Sequence, residues 1–163
     1  MTHIYKSLAA ALSLTALLLL YQPAEARVPD SALALGGISI GSTEAYVKAT
    51  YGKPKTLTRT YYAPRKSYIR EYNYGNSFYI SILESTGTVF RMMSMDHHNN
   101  VATPKGIKIG STLQELLRAY GNPDLRQIDG EVDHYWYLGS GYKGNLVFHV
   151  SYGKVIAIGC GKA

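Results

Sequence analysis

Cysteine is almost missing from this chain. One Cys among 163 residues excludes an internal disulfide framework and any zinc or iron–sulfur centre built on several thiolates. Charge is sparse, at 17% of residues, and acidic groups are the scarcer sign. Eleven Asp plus Glu stand against 17 Lys plus Arg, a formal net charge of +6. Phe and Trp are few, with 3 and 1, and Tyr replaces them with 15. The apolar fraction of 46% still supplies a packed core, so a disordered or collagen-like chain is excluded. The longest uninterrupted run of apolar and small residues, 8–20, is 13 long, whereas a membrane-spanning helix needs about 20.

That run sits in a segment that reads as an export address. Lys6 precedes it, and Ala24-Glu25-Ala26 fits the small-x-small pattern of a cleavage site. Residues 1–26 are expected to be a signal peptide, with the mature chain starting near Arg27. The expected location is periplasmic or extracellular, with no transmembrane span after cleavage. In an oxidising compartment a lone thiol can pair only between chains. Cys160, in an apolar run near the C-terminus, reads as a small buried hydrophobe or as a dimer-linking thiol.

The chain repeats itself. Residues 38–54 read ISIGSTEAYVKATYGKP and residues 107–123 read IKIGSTLQELLRAYGNP, with 8 of 17 positions identical at a constant offset of 69. Each copy spells a short helix. Thr43 or Thr112 stands at the N-cap, and Thr112 with Glu115 forms a capping box. Leu113, Leu116, Leu117 and Tyr120 form one apolar stripe. Gly52 or Gly121 ends the helix, and Pro54 or Pro123 prevents its continuation. A polar stretch follows, then three strand-like runs: 68–74, 78–83 and 88–95 in the first copy, 134–138, 146–151 and 154–160 in the second.

The expected fold class is therefore α+β: two tandem helix–loop–three-stranded antiparallel units sharing one sheet, with both helices on one face. The expected organisation is a signal peptide (1–26), a loose lead-in (27–37), a first αβββ repeat (38–95), a polar linker (96–106) and a second αβββ repeat (107–163). The pattern I-x-I-G-S-T…Y-G-x-P followed by Y-x-Y resembles the SmpA/BamE-type small envelope proteins. In tandem it resembles the beta-lactamase inhibitory protein architecture. The residues that carry this resemblance are Gly41, Thr43, Tyr51, Gly52, Pro54, Tyr72 and Tyr74, with Gly110, Thr112, Tyr120, Gly121, Pro123, Tyr135 and Tyr137. The resemblance implies the tandem fold and does not by itself fix a function. The chain departs from the pattern in lacking a lipobox Cys and the cysteines for intradomain disulfides.

No catalytic set, metal centre or cofactor is expected. Asp129, Glu131 and Asp133 would share a face if extended, and read as a solvated acidic loop or a weak cation site. Asp96, His97, His98 and Asn99 form a polar knot in the linker, where adjacent His residues could ligate together only if the backbone bends. The basic excess lies in the first copy. Residues 38–95 hold 8 Lys/Arg and 3 Asp/Glu (8 − 3 = +5), and residues 107–160 hold 5 of each. Lys53, Lys55, Arg59, Arg65, Lys66 and Arg70 are interleaved with Tyr61, Tyr62 and Tyr68. An anionic polymer, a lipid headgroup or an acidic protein suits such a segment better than nucleic acid in an exported chain.

Strand parity gives the sharper expectation. If Phe78, Ile80, Ile82, Leu146, Phe148 and Val150 face the helices, their neighbours face away. Placing Tyr72, Tyr74, Phe90, Met92, Tyr135, Tyr137, Ile156 and Ile158 inward leaves Tyr79, Arg91, His134, Trp136 and His149 on the helix-free face. Large side chains with polar handles dominate interface hot spots. The expected function is an exported, non-enzymatic protein-binding module that docks an envelope partner on this face. The alternative is a structural envelope-assembly factor using the basic segment 53–70.

Overall fold

The computed structural model describes residues 27–141 and 143–162. The proposed signal peptide lies outside the described residues. Among these, ten strands and two α-helices are present. A two-stranded hairpin, β1 (Ala34–Leu35) and β2 (Ile38–Ser39), precedes helix α1 (Glu44–Tyr51). Four strands follow: β3 (Thr56–Tyr62), β4 (Ser67–Asn73), β5 (Phe78–Leu83) and β6 (Thr88–Ser94). Helix α2 (Leu113–Tyr120) precedes β7 (Leu125–Asp129), β8 (Val132–Leu138), β9 (Asn145–Ser151) and β10 (Lys154–Gly161). The eight long strands form one antiparallel sheet in the order β3-β4-β5-β6-β10-β9-β8-β7.

The chain is thus mostly β, and the expected α+β class with two three-stranded units is corrected. Each half contributes four strands, because the polar stretch after each helix is an edge strand and not a loop. β3 and β7 are exposed along their lengths, so no burial pattern marks them. Their order comes from pairing with β4 and β8. The three-stranded unit implied by the likeness to SmpA/BamE-type proteins is absent.

The repeated residues have an identifiable job. Thr43 Oγ1 accepts from Tyr46 N–H, and Thr112 Oγ1 accepts from Glu115 N–H, each capping its helix. The Glu115 carboxylate returns to the Thr112 N–H at 2.7 Å, completing the capping box. Gly41, with φ of 89°, donates to the Val89 carbonyl, and Val89 donates back to that of Ser42. Gly110, with φ of 90°, makes the same pair of bonds with Val155 and Ser111. A left-handed glycine therefore clips the start of each helix to the last strand of its half.

Both helices cover one face. Val47, Leu116 and Tyr120 pack on Tyr72, Phe78, Ile80, Tyr137, Leu146, Phe148 and Ile158 in a single core. Tyr120 stacks against both Tyr137 and Phe148 at 5.3 Å between ring centres. The lead-in is not loose. Val28, Leu33 and Leu35 are buried in that core, and Val28 N–H donates to the Leu138 carbonyl. Two inward assignments also fail. Register shifts beside Phe90 and at Ile156 insert an extra residue into β6 and β10. A bulge reverses side-chain parity locally. Phe90 packs on Tyr62, away from the helices, and Ile156 is 42% exposed while Val155 takes the core position.

Candidate functional site

The register arranges the helix-free face in cross-strand rows. Glu71, Ser81 and Arg91 lie side by side on β4, β5 and β6, and Gly161 and Asn145 continue the row. A second row runs Asn73, Tyr79, Met93, Gly159, Val147, Trp136 and Leu125. In a third, Ala157, His149, His134 and Gln127 are neighbours. All five residues singled out by parity, Tyr79, Arg91, His134, Trp136 and His149, stand on this face. Arg91 and Tyr79 share a depression of about 300 Å³ with Glu71, Ser81, Met93 and Met95. Arg91, Trp136 and His149 also line a groove of about 500 Å³ over β10. His134 and His149 line a third, of about 300 Å³.

Small residues on β10 open the middle of this surface. Beyond the outward-turned Ile156, its outward positions are Ala157, Gly159 and Gly161. A Cβ at Gly159 would come within 2.8 Å of Val147 Cγ1 and 3.8 Å of Met93 Cε. The absence of side chains there lets neighbours on β6 and β9 lean over the strand. Arg91 is oriented by Glu71 at 3.4 Å. The Trp136 indole N–H is covered and makes no hydrogen bond among the described residues. Such an orphan donor is uncommon in folded proteins. His134 Nδ1 and His149 Nδ1 are 2.8 Å apart, with the rings edge to face. Burial, and then the neighbouring His134, push the His149 imidazole below its ordinary value, which favours its neutral form.

The basic segment is not one patch. Lys53 and Lys55 precede β3, while Arg65 and Lys66 follow it, about 20 Å away for a seven-residue strand. Arg59 pairs with Glu84 at 2.8 Å and lies 3.5 Å from the centre of the Tyr68 ring. Arg70 pairs with Glu44 at 2.5 Å. These two arginines stand on the helix side of the sheet and are neutralised by the first copy's own acids.

Two other expectations resolve locally. Gly130 and Glu131 form the turn between β7 and β8, so Asp129, Glu131 and Asp133 do not share a face. Asp133 pairs with Arg126 at 2.5 Å, and Asp129 lines the groove beside His134. The backbone does bend at 96–99: a single turn of 3₁₀ helix spans His97–Asn99. It brings ligand atoms of Asp96, His97 and His98 within 4.8 Å of one another on an exposed surface. Cys160 is buried against the core, which pushes its thiol up to about 12.

Residues 37–41 also spell G-x-S-x-G, the pattern of a hydrolase nucleophile elbow. Ser39 instead ends the short strand β2, and its N–H donates to Ser42 Oγ at 3.2 Å. Among the described residues no hydrogen bond joins Ser39 to a histidine, so the elbow's chemistry has no base here. Parity also sets Met93 and Val147 on this face, where Val147 is buried. Met95, two residues beyond Met93, is the surface residue that sequence reasoning left unused, and its i, i+2 spacing was the available signal.

Among the described residues no helix is long and apolar enough to cross a membrane. No protein-family model matches the chain, and no curated protein matches it. Solved structures do. A DUF4309 family protein from Bacillus subtilis, 11% identical, has a TM-score of 0.46 over 85% of this chain and 89% of that one. An extracellular protein containing an SCP domain from Bacillus anthracis, 12% identical, gives 0.45 over 76% of this chain and 44% of that one. A cysteine-rich secretory protein from Staphylococcus aureus, 12% identical, gives 0.49 over 86% of this chain and 48% of that one. The chain spans about half the length of the last two. With eight strands in one antiparallel sheet, four from each half, the chain is not an SmpA/BamE-like tandem of the beta-lactamase inhibitory protein type.

Proposed function

We propose that the protein is an exported binding module, without catalysis of its own, that docks a protein partner on the helix-free face of its sheet. One observation carries the reading. Tyr79, Arg91, Trp136 and His149 stand on one face along adjoining grooves, with Arg91 common to the two that hold Tyr79 and Trp136. None of the four belongs to the core. The chemistry suits a protein surface: apolar area from Tyr79, Met93 and Trp136, and a directional cation in Arg91. Aromatic and arginine side chains of this kind dominate measured interface energies. Export rests on the composition of residues 1–26. The basic segment 53–70 is a weaker anchor, because Arg59 and Arg70 are already paired.

Photo-crosslinking in cells from position 136 tests the reading. A discrete protein adduct is expected, and Tyr79→Ala should reduce it at least tenfold. Crosslinks confined to lipid or cell-wall material, or a protein adduct indifferent to Tyr79→Ala and Arg91→Ala, would overturn it.

A further inference from the structure

The connection between the two halves carries a different chemistry. β6 ends at Ser94, and the 3₁₀ turn His97–Asn99 follows it. Asp96 caps that turn, its Oδ1 accepting from the His98 N–H at 2.9 Å. The same oxygen lies 2.8 Å from His98 Nδ1 and 3.7 Å from His97 Nδ1. The two imidazole rings are tilted by 38°, with centres 3.7 Å apart. The turn is also pinned from outside. Asn99 Nδ2 donates to the Asn76 carbonyl at 2.8 Å and to Ser94 Oγ at 2.9 Å, and the Val101 N–H donates to Asn99 Oδ1. Asn76 Nδ2 donates in return to the His98 carbonyl. The turn between β4 and β5 and the end of β6 thus hold the backbone that carries the two histidines.

We propose that Asp96, His97 and His98 bind a borderline divalent metal ion, zinc(II) in class. Their ligand atoms all lie within 4.8 Å of one another. Metal–ligand bonds of about 2.0 Å at a tetrahedral angle set neighbouring ligand atoms about 3.3 Å apart. The spacings of 2.8 and 3.7 Å bracket that value, so small side-chain rotations close the site. Two imidazoles and one carboxylate suit zinc(II), whereas magnesium and calcium prefer oxygen ligands. Hydrogen bonds from the His98 backbone and then from its ring hold the Asp96 carboxyl below its ordinary range, so it serves as the anionic ligand. The ion takes the place of the proton between Asp96 and His98. That proton moves from Nδ1 to Nε2 of the same ring, and no electron is transferred. Both histidine side chains are 68% exposed, so water completes the tetrahedron. None of the three residues lines a groove of the docking face, and the site is tested on the isolated chain whatever docks there.

Untagged protein is titrated with zinc(II) by calorimetry in a non-coordinating buffer, with the imidazole resonances followed in parallel. One equivalent is expected to bind, shifting His97 and His98 and leaving His134 and His149 in place. His97→Ala and His98→Ala should each weaken binding at least tenfold. Asp96→Asn keeps an N-cap acceptor but removes the anionic ligand, and should do the same. Asn99→Ala retains all three ligands and releases the turn, and should weaken binding about tenfold. The proposal is overturned if no stoichiometric uptake occurs, if an excess of magnesium displaces the zinc, or if His134 and His149 shift instead. It is equally overturned if Asp96→Asn or Asn99→Ala binds like the parent, which would leave only adventitious coordination by neighbouring histidines.

Discussion

Tyr137 donates its phenolic hydroxyl to the carbonyl of Gly121, 2.9 Å away. The acceptor is the C-cap of α2, one of the carbonyls that a helix leaves without an internal partner. The donor is fully buried on β8. One hydrogen bond therefore fixes how far the helix end stands above the sheet.

Removing that hydroxyl leaves a carbonyl without its partner but keeps the ring packing with Tyr120 and Phe148. Tyr137→Phe is expected to lower stability by about 1 kcal/mol. Denaturant titration should show an earlier midpoint with an unchanged slope. An unchanged midpoint would mean that the bond adds nothing net.

The two helix caps differ in a measurable way. Thr43 offers its helix one side-chain bond, whereas Thr112 and Glu115 satisfy two backbone donors reciprocally. Replacing either threonine by alanine should cost about 1 kcal/mol, with Thr112→Ala the larger loss. Thermal melts of the two variants and of Glu115→Ala compare them directly.

Acid should destabilise the protein through Glu44. Burial by itself would raise this carboxyl, but hydrogen bonds from Lys48 and Tyr72 and the Arg70 charge outweigh it and hold the group below its ordinary 4.5. A folded-state value below the unfolded one means that the unfolded chain binds the proton first. The contribution is complete above about pH 4.5 and is lost as pH falls through the lower, folded value. Glu44→Gln is expected to flatten the acid side of the stability profile below pH 4.5 and to leave the neutral slope alone. A parallel shift of the whole curve would contradict this.

Cys160 should be silent in the folded protein. Its thiol is buried and pushed up to about 12, and the thiolate is the reactive form. An aromatic disulfide reagent is expected to label it only after denaturation, at one equivalent per chain. Prompt labelling of the native protein, or a covalent dimer on non-reducing gels, would show that the C-terminal strand opens.

Local signals were strong where the chain must satisfy its own backbone. Thr43, Thr112, Gly52 and Gly121 bound their helices because caps act over three or four residues. Alternation in Phe78, Ile80, Ile82 and in Leu146, Phe148, Val150 placed a face because burial is a side-chain property with period two. From these, Tyr79, His134, Trp136 and His149 could be set opposite the helices. The edge strand β3 was legible only faintly, in Thr56, Thr58 and Thr60 at alternate positions. An exposed edge has no apolar face to record.

Sequence alone therefore determined the helix ends, the six inner strands and the side of the sheet on which most large residues stand. Tertiary structure alone decided the two edge strands, the bulges that turned Phe90 and Ile156 outward, and the division of the basic segment between the two ends of β3. It also decided that Met93 and Val147 would lean over Gly159 from either side. The reason is range. Capping and alternation are settled between residues a few positions apart, whereas register, bulges and rows across β6, β10 and β9 depend on hydrogen bonds between segments that are distant along the chain.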